Sequence, residues 1–164
     1  MEEMLYVLTL GAAMLGCPYD KLDMPSRQLL AVSARPAADG ENPAIPPTGR
    51  AAISEAVNAC AAEHGWDADQ KWEATSYTVN RILRDELATI ATARGVDPVR
   101  VEAAVRALPA EKRSPLEASN PEMIAAMRGA LVAEGVDMDD PPRANVATAL
   151  AQAWAWLLFL TAPA

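Results

Sequence analysis

Residues 145–164 read NVATALAQAWAWLLFLTAPA and contain no charged side chain. The stretch is rich in good helix formers, and its apolar residues are spread around the helix so that no face is polar. A helix that is apolar nearly all round belongs in the centre of a bundle or in an interface between subunits. The stretch therefore predicts a helix over about 143–160 in the core of a helical protein.

A second uncharged stretch, residues 4–19, lies near the other terminus and predicts a helix over about 2–15 that ends at Gly16. Between the two stretches, apolar residues recur at intervals of three and four, and glycine or proline ends each segment. No segment alternates convincingly as a strand does. The pattern predicts further helices over about 25–34, 50–64, 68–94, 98–108 and 121–134.

The composition favours the same fold class. The chain has 164 residues, which fits one domain, and 35 of them are alanine, the best helix former. We therefore expect a single soluble domain over 1–164, an irregular all-α bundle of five to seven helices with apolar N- and C-terminal helices in its core. Residues 35–49, RPAADGENPAIPPTG, predict an extended Pro/Gly-rich surface loop that is long enough to suspect of a function.

Charge and cysteine usage limit the partners and the compartment. The net charge of −8 opposes nucleic-acid binding, which needs basic side chains to displace counterions from phosphates. Cys17 and Cys60 are 43 residues apart with no CxxC motif, so the sequence predicts no disulfide framework. Glu2 and Glu3 stand where a secretory signal would carry positive charge. A cytoplasmic location is the expectation.

Cys60, Glu63 and His64 form the one cluster of chemically reactive residue types. Cys60 and His64 are four residues apart and share a helix face, so an imidazolium can activate the thiol or the two can bind a metal together. Glu86, an acid on an otherwise apolar stripe, is the fourth candidate catalytic residue. The structural alternative, a buried thiol beside a histidine in the last helical turn, is the reading that we favour. No metal and no cofactor are expected.

Three aromatic residues of the last helix, Trp154, Trp156 and Phe159, are the candidate binding residues. Tryptophan is enriched at interaction hot spots, and its large ring also fills a core. Since the chain has four tryptophans and one phenylalanine, we favour the core interpretation for the tryptophans.

No phosphate-binding glycine motif or nucleophile motif occurs in the chain. The leading hypothesis is therefore a non-catalytic helical protein that binds a protein partner or itself: an adaptor, an inhibitor or a structural subunit. One alternative is a small enzyme or a metal- or ligand-binding protein that uses Cys60, Glu63 and His64. The other is membrane association through residues 145–164, which we do not favour because few of those residues are strongly apolar.

Overall fold

The computed structural model describes residues 11–163, and for residues 12 and 13 the backbone alone. This part of the chain is all-helical and contains no strand. The helices are α1 (Ala12–Leu15), α2 (Cys17–Lys21), α3 (Met24–Ala31), α4 (Ala34–Ala38), α5 (Pro47–His64), α6 (Ala68–Ala93), α7 (Pro98–Ala107), α8 (Pro121–Ala133) and α9 (Pro141–Leu160), with 3-10 turns at Ala110–Lys112 and Pro115–Glu117.

The predicted all-α irregular bundle is confirmed. Six of the helices in the described part have eight residues or more, and α1, α2 and α4 add three of four or five residues. These short segments take the number above the expected five to seven. The N-terminal helix predicted over 2–15 lies outside the described residues, apart from α1 at its end.

Helix α9 lies in the core, as the sequence predicts. It packs chiefly against α6 and also contacts α4, α7 and α8. The alanines Ala147, Ala151 and Ala155 follow one another at intervals of four and are buried, so neighbouring backbones can approach α9 closely. Val146 and Leu150 are fully buried beside them.

Several helices begin or end at residues whose types favour helix caps. At the start of α6 the backbone N–H of Gln70 donates to Asp67 Oδ1 at 2.8 Å, and the N–H of Asp67 donates to Gln70 Oε1 at 3.0 Å. This reciprocal pair satisfies two amides that the helix leaves unbonded. Helix α5 ends at Gly65, whose φ of 68° is the left-handed conformation that glycine adopts without strain.

The loop predicted over residues 35–49 is shorter in the structure. Helix α4 occupies its beginning, and α5 begins at Pro47, so the non-helical segment is 39–46. Both prolines concerned, Pro36 and Pro47, lie in the first turn of a helix, where proline is tolerated. The sequence interpretation took these prolines as loop residues and was wrong at both ends.

The segment 39–46 is fixed at its beginning by side chains from α6 and α9. Arg94, at the end of α6, donates to the carbonyl oxygen of Ala38 at 2.5 Å and to Asp39 Oδ1 at 2.6 Å. The side-chain amide of Asn145 donates to the carbonyl oxygen of Asp39 at 3.3 Å. This loop is therefore held along the side of α9.

A smaller buried cluster lies where α1, α2, α5 and the start of α6 meet the end of α9. We call this cluster the disulfide end, for the bond described below. Its buried members are Leu15, Cys60, Ala61, Trp66, Ala74 and Leu160.

Among the described residues, no helix combines the length and the hydropathy needed to cross a membrane. The apolar side chains of α9 are instead used within the fold, since Leu150, Leu157 and Leu160 are buried.

Candidate functional site

Cys60, the central residue of the reactive cluster, forms a disulfide with Cys17. Cys17 opens α2, Cys60 lies in the second half of α5, and their Cα atoms are 6.2 Å apart. The sequence predicted no disulfide framework and favoured a buried thiol at Cys60. Both expectations are wrong, because residues 43 apart in sequence are neighbours in space. A thiolate nucleophile at Cys60, as one of the hypotheses requires, is absent from this oxidised form.

Glu63 and His64 lie at the end of α5, beside the Cys17 sulfur of the disulfide. The Lys21 ammonium donates to Glu63 Oε1 at 2.6 Å, and His64 Nε2 is 4.0 Å from Glu63 Oε2. The imidazole stacks on the ring of Trp66, with 5.8 Å between the ring centroids. The hydrogen bond from Lys21, and then its positive charge, lowers the pKa of the Glu63 carboxyl.

A third potential ligand joins these two side chains. One atom each from Cys17, Glu63 and His64 lies within 4.8 Å of the others. The sequence pointed to Cys60 and His64 and lacked a third ligand. No sequence signal places Cys17 beside them, because the pairing depends on how α2 packs against α5.

Glu86, the fourth catalytic candidate, does not belong to this cluster. It is half-buried on α6, twelve residues beyond Ala74, which packs in the disulfide end. At about 1.5 Å of rise per residue, that distance is about 18 Å along the helix axis. The structure therefore brings Glu63 and His64 beside Cys17, to which Cys60 is bonded, and leaves Glu86 apart.

The aromatic candidates of α9 divide into two sets. Trp154 is half-buried, and the guanidinium groups of Arg84 and Arg106 lie 5.0 and 5.5 Å from its ring centroid. Trp156 contacts Phe159 and Trp72 edge to face, each at 6.0 Å between centroids. Trp154 therefore packs among neighbouring helices, while Trp156 belongs to an aromatic cluster.

That cluster, Trp72–Trp156–Phe159, reaches the surface. Trp72 is 50% exposed and Phe159 is 43% exposed. The interpretation of the tryptophans as core residues holds for Trp66, which is 7% exposed, and is wrong for Trp72. Trp72 lies in the second turn of α6 and contacts Trp156, but half of its surface stays uncovered.

Two adjoining cavities run along α9 beside the aromatic cluster, and we call them together the α9 groove. Each has a volume of about 440 Å³. Both are lined by Thr148, Gln152 and Trp156, which follow one another at intervals of four on α9, and by Asn42 from the loop 39–46. The polar residues within the otherwise apolar last helix are the sequence signal that could have located this groove.

The cavity on the α8 side combines an apolar wall with cationic groups. Its wall includes Met123, Met127 and Met138, and its cations are Lys112, Arg113 and Arg128. Methionine side chains are flexible and adapt to ligands of different shape.

Two of these cations are paired with carboxylates. Lys112 forms an ion pair with Glu122, and Arg128 forms one with Asp139 at 3.1 Å. Arg113 differs: its Nη1 donates to two carbonyl oxygens, of Val105 at 3.4 Å and Leu108 at 3.2 Å. Within residues 11–163, Arg113 has no carboxylate partner. Its guanidinium is therefore the group of this cavity that is best placed to accept an anionic ligand.

The cavity on the α6 side is lined by amide groups instead. Asn80 donates to the carbonyl oxygen of Ser76 at 2.9 Å, and Asn145 is held on Asp39. Asn42 and Gln152 complete the amide lining. Side-chain amides both donate and accept hydrogen bonds, as a peptide backbone requires of its partner.

Comparison with known proteins gives no further identification: no family model, no curated protein and no solved structure matches this chain.

Proposed function

We propose that this chain is a non-catalytic protein-binding subunit, and that its α9 groove holds an apolar segment of a partner protein that carries a carboxylate. The observation that carries the proposal is the half-exposed Trp72, which packs edge to face on Trp156 of the groove lining. Exposed tryptophans that border a concave site are the usual anchors of protein interfaces. An adaptor, an inhibitor or an assembly subunit would all use such a surface.

The chemistry of the α8-side cavity supports the choice of partner. Its methionine wall suits apolar side chains, and Arg113 has a free guanidinium edge for a carboxylate. The chain as a whole carries a net charge of −8, so the Arg113 guanidinium, which bonds only carbonyl oxygens within residues 11–163, is a local exception. Charge complementarity therefore favours an acidic, apolar segment over a nucleic acid, whose phosphates the overall charge repels.

The α6-side cavity supports a peptide rather than a small metabolite. Its amides lie in the same groove as the apolar wall, so they can bond the backbone of a segment whose side chains enter the neighbouring cavity. A volume of about 440 Å³ per cavity is within the size range of ligand sites, roughly 300–1,000 Å³.

The test starts from a displayed library of random peptides selected on the purified full chain. We expect the enriched peptides to share an apolar residue next to aspartate or glutamate. Their affinity, measured by tryptophan fluorescence or calorimetry, should fall about thirtyfold in Trp72→Ala, the loss typical of a hot-spot residue. It should fall about tenfold in Arg113→Gln, which removes a charged hydrogen bond.

Arg50→Gln is the matched control, because Arg50 is exposed on α5 and lines neither cavity. A peptide with asparagine in place of its aspartate should bind wild type and Arg113→Gln equally well. Peptides that bind Trp72→Ala and Arg113→Gln as tightly as Arg50→Gln would contradict the proposal. A dimer in sedimentation that Trp72→Ala dissociates would also contradict it, since a second copy would then occupy the groove.

The compartment also belongs to this proposal. Disulfides persist in oxidising compartments and are rare in the cytosol. The Cys17–Cys60 bond therefore favours an oxidising compartment for this form of the protein over the cytoplasmic location expected from the sequence.

A further inference from the structure

The disulfide end gathers more metal-binding groups than any hypothesis from the sequence used. Three of them lie on the last two turns of α5: Cys60, Glu63 and His64. The fourth, Cys17, opens α2, and its sulfur lies within 4.8 Å of ligand atoms of Glu63 and His64. The sulfur of Cys60 is bonded to that of Cys17, so a second sulfur adjoins this group of three ligand atoms.

We propose that reduction of the Cys17–Cys60 disulfide converts this cluster into a zinc site. A dithiol reductant supplies two electrons and two protons, which break the S–S bond and leave two thiols, while the dithiol becomes a disulfide. Zn²⁺ then displaces the two thiol protons and is bound by both thiolates, His64 and Glu63. A disulfide oxidant then takes up the two electrons of the thiolates and two protons and becomes a dithiol, while the Cys17–Cys60 bond re-forms and releases the ion. The proposal is independent of the α9 groove, and it departs from the expectation of no metal.

The ligand set fits zinc. Structural zinc sites are tetrahedral and use cysteine thiolates and histidine nitrogen, and carboxylate oxygen is also a zinc ligand. Two thiolates that share one zinc, with Zn–S near 2.3 Å, lie about 3.8 Å apart. Because their Cα atoms are 6.2 Å apart, the side chains of Cys17 and Cys60 can reach that separation by rotation about χ1.

The local charge also fits a divalent cation. Two thiolates and the Glu63 carboxylate carry three negative charges, which Zn²⁺ and the Lys21 ammonium neutralise together. Lys21 bonds Glu63 through Oε1, whereas Oε2 is the oxygen near His64 Nε2. Glu63 can therefore keep its ion pair and still offer one oxygen to the metal.

The position at a helix C-terminus adds to this attraction. Cys60, Glu63 and His64 precede Gly65, where α5 ends. The carbonyl dipoles of a helix point their negative ends at its C-terminus and favour a cation there. The stacked ring of Trp66 holds the imidazole of His64 beside this end.

The experiment uses the full chain, stripped of metal and reduced with a phosphine that binds metal weakly. Co²⁺ is the spectroscopic probe, and Zn²⁺ is then titrated in competition with a chromophoric chelator. We expect one Co²⁺ per reduced chain, with the visible bands of a tetrahedral site and a thiolate charge-transfer band. The oxidised chain should show neither band.

Substitutions distinguish this site from binding by free thiols alone. His64→Ala and Glu63→Gln should each weaken Zn²⁺ binding by about tenfold or more. The matched control is Glu55→Gln, an exposed acid of the same helix outside the cluster, and it should bind as wild type does. Zinc should also slow alkylation of the two thiols and raise the Tm of the reduced protein, with no effect on the Tm of the oxidised protein.

Three results would overturn the proposal. One is reduced protein that gives no charge-transfer band. Another is binding that His64→Ala and Glu63→Gln leave equal to Glu55→Gln. The third is a reduced chain that loses its helical circular dichroism and does not regain it with Zn²⁺. Any zinc bound by that chain would be bound by unfolded protein and not by the folded cluster.

Discussion

The core around α6 and α9 and the disulfide end are both buried, but different forces hold them together. Among the described residues, the α6/α9 core has nineteen buried members, of which nine are alanines. The disulfide end has six, and two of its helices are joined there by a covalent bond.

The difference follows from the apolar area that each region can bury. Alanine-lined helices approach closely and fill the α6/α9 core by packing alone, at about 25 cal/mol for each Å² removed from water. A cluster of six residues removes far less area. Its cohesion therefore depends more on the Cys17–Cys60 bond, which limits the freedom of the unfolded chain.

Removing that bond is the strongest way to test this contrast. Cys17→Ala/Cys60→Ala should lower the free energy of unfolding by about 4 kcal/mol, the chain-entropy estimate for a loop closed over 43 residues. Denaturant unfolding followed by circular dichroism measures it. The α6/α9 core should keep its helical signal below the transition. A loss under about 1 kcal/mol would show that packing alone holds the disulfide end.

A core truncation tests the other side of the comparison. Leu150→Ala should lower the free energy of unfolding by about 3 kcal/mol, because Leu150 is fully buried and its removal leaves a cavity. The same change in the Cys17→Ala/Cys60→Ala background should cost the same within about 0.5 kcal/mol, since the two regions share no buried residue. Exposed Val132 supplies the control: Val132→Ala should cost under about 0.5 kcal/mol. Strong non-additivity would mean that the two regions are energetically coupled.

The smallest expected effect concerns the ion pair at the disulfide end. Lys21 lowers the pKa of Glu63 from its ordinary value of 4.5, first by its hydrogen bond and then by its charge. The folded state thus binds this proton less readily than the unfolded state. The ion pair therefore stabilises the protein above pH 4.5, and this contribution is lost as the pH falls through the lowered pKa.

Lys21→Met should return the pKa of Glu63 towards the ordinary value, measured by NMR titration of the carboxyl carbons. Glu122 is the internal control, because Lys112 lowers its pKa in the same way on another part of the surface. Its titration should not move in Lys21→Met. If the Glu63 pKa also stays unchanged, Lys21 is not the cause of its lowered value.

Local rules explain why much of the fold is predictable from the sequence. The Asp67–Gln70 capping box and Gly65 lie at the helix ends that their types indicate, since capping depends only on residues a few positions apart. The uncharged stretch 145–164 indicates a central helix because it has no charged side chain and no continuous polar face. Pro36 and Pro47 misled the interpretation because proline fits the first turn of a helix as well as a loop.

The candidate sites were harder to predict, because they depend on contacts between distant segments. Cys60 and His64 share a helix face, which the sequence shows, but Cys17 joins them only through the packing of α2 on α5. Likewise, Gln152 lines the α9 groove only because the segment 39–46 lies beside α9, and that contact joins distant parts of the sequence. The exposure of Trp72 depends on which helices pack around its side chain, and helical periodicity in the sequence carries no such information.

The disulfide also spans the one long connection between the early helices and α5. Cys17 lies before the segment 39–46 and Cys60 lies after it. A protease that cuts the chain once within this exposed loop therefore produces two fragments that remain one covalent molecule. They separate on a denaturing gel only when a reductant is added, so nicked and intact protein look alike until the sulfur bridge is opened.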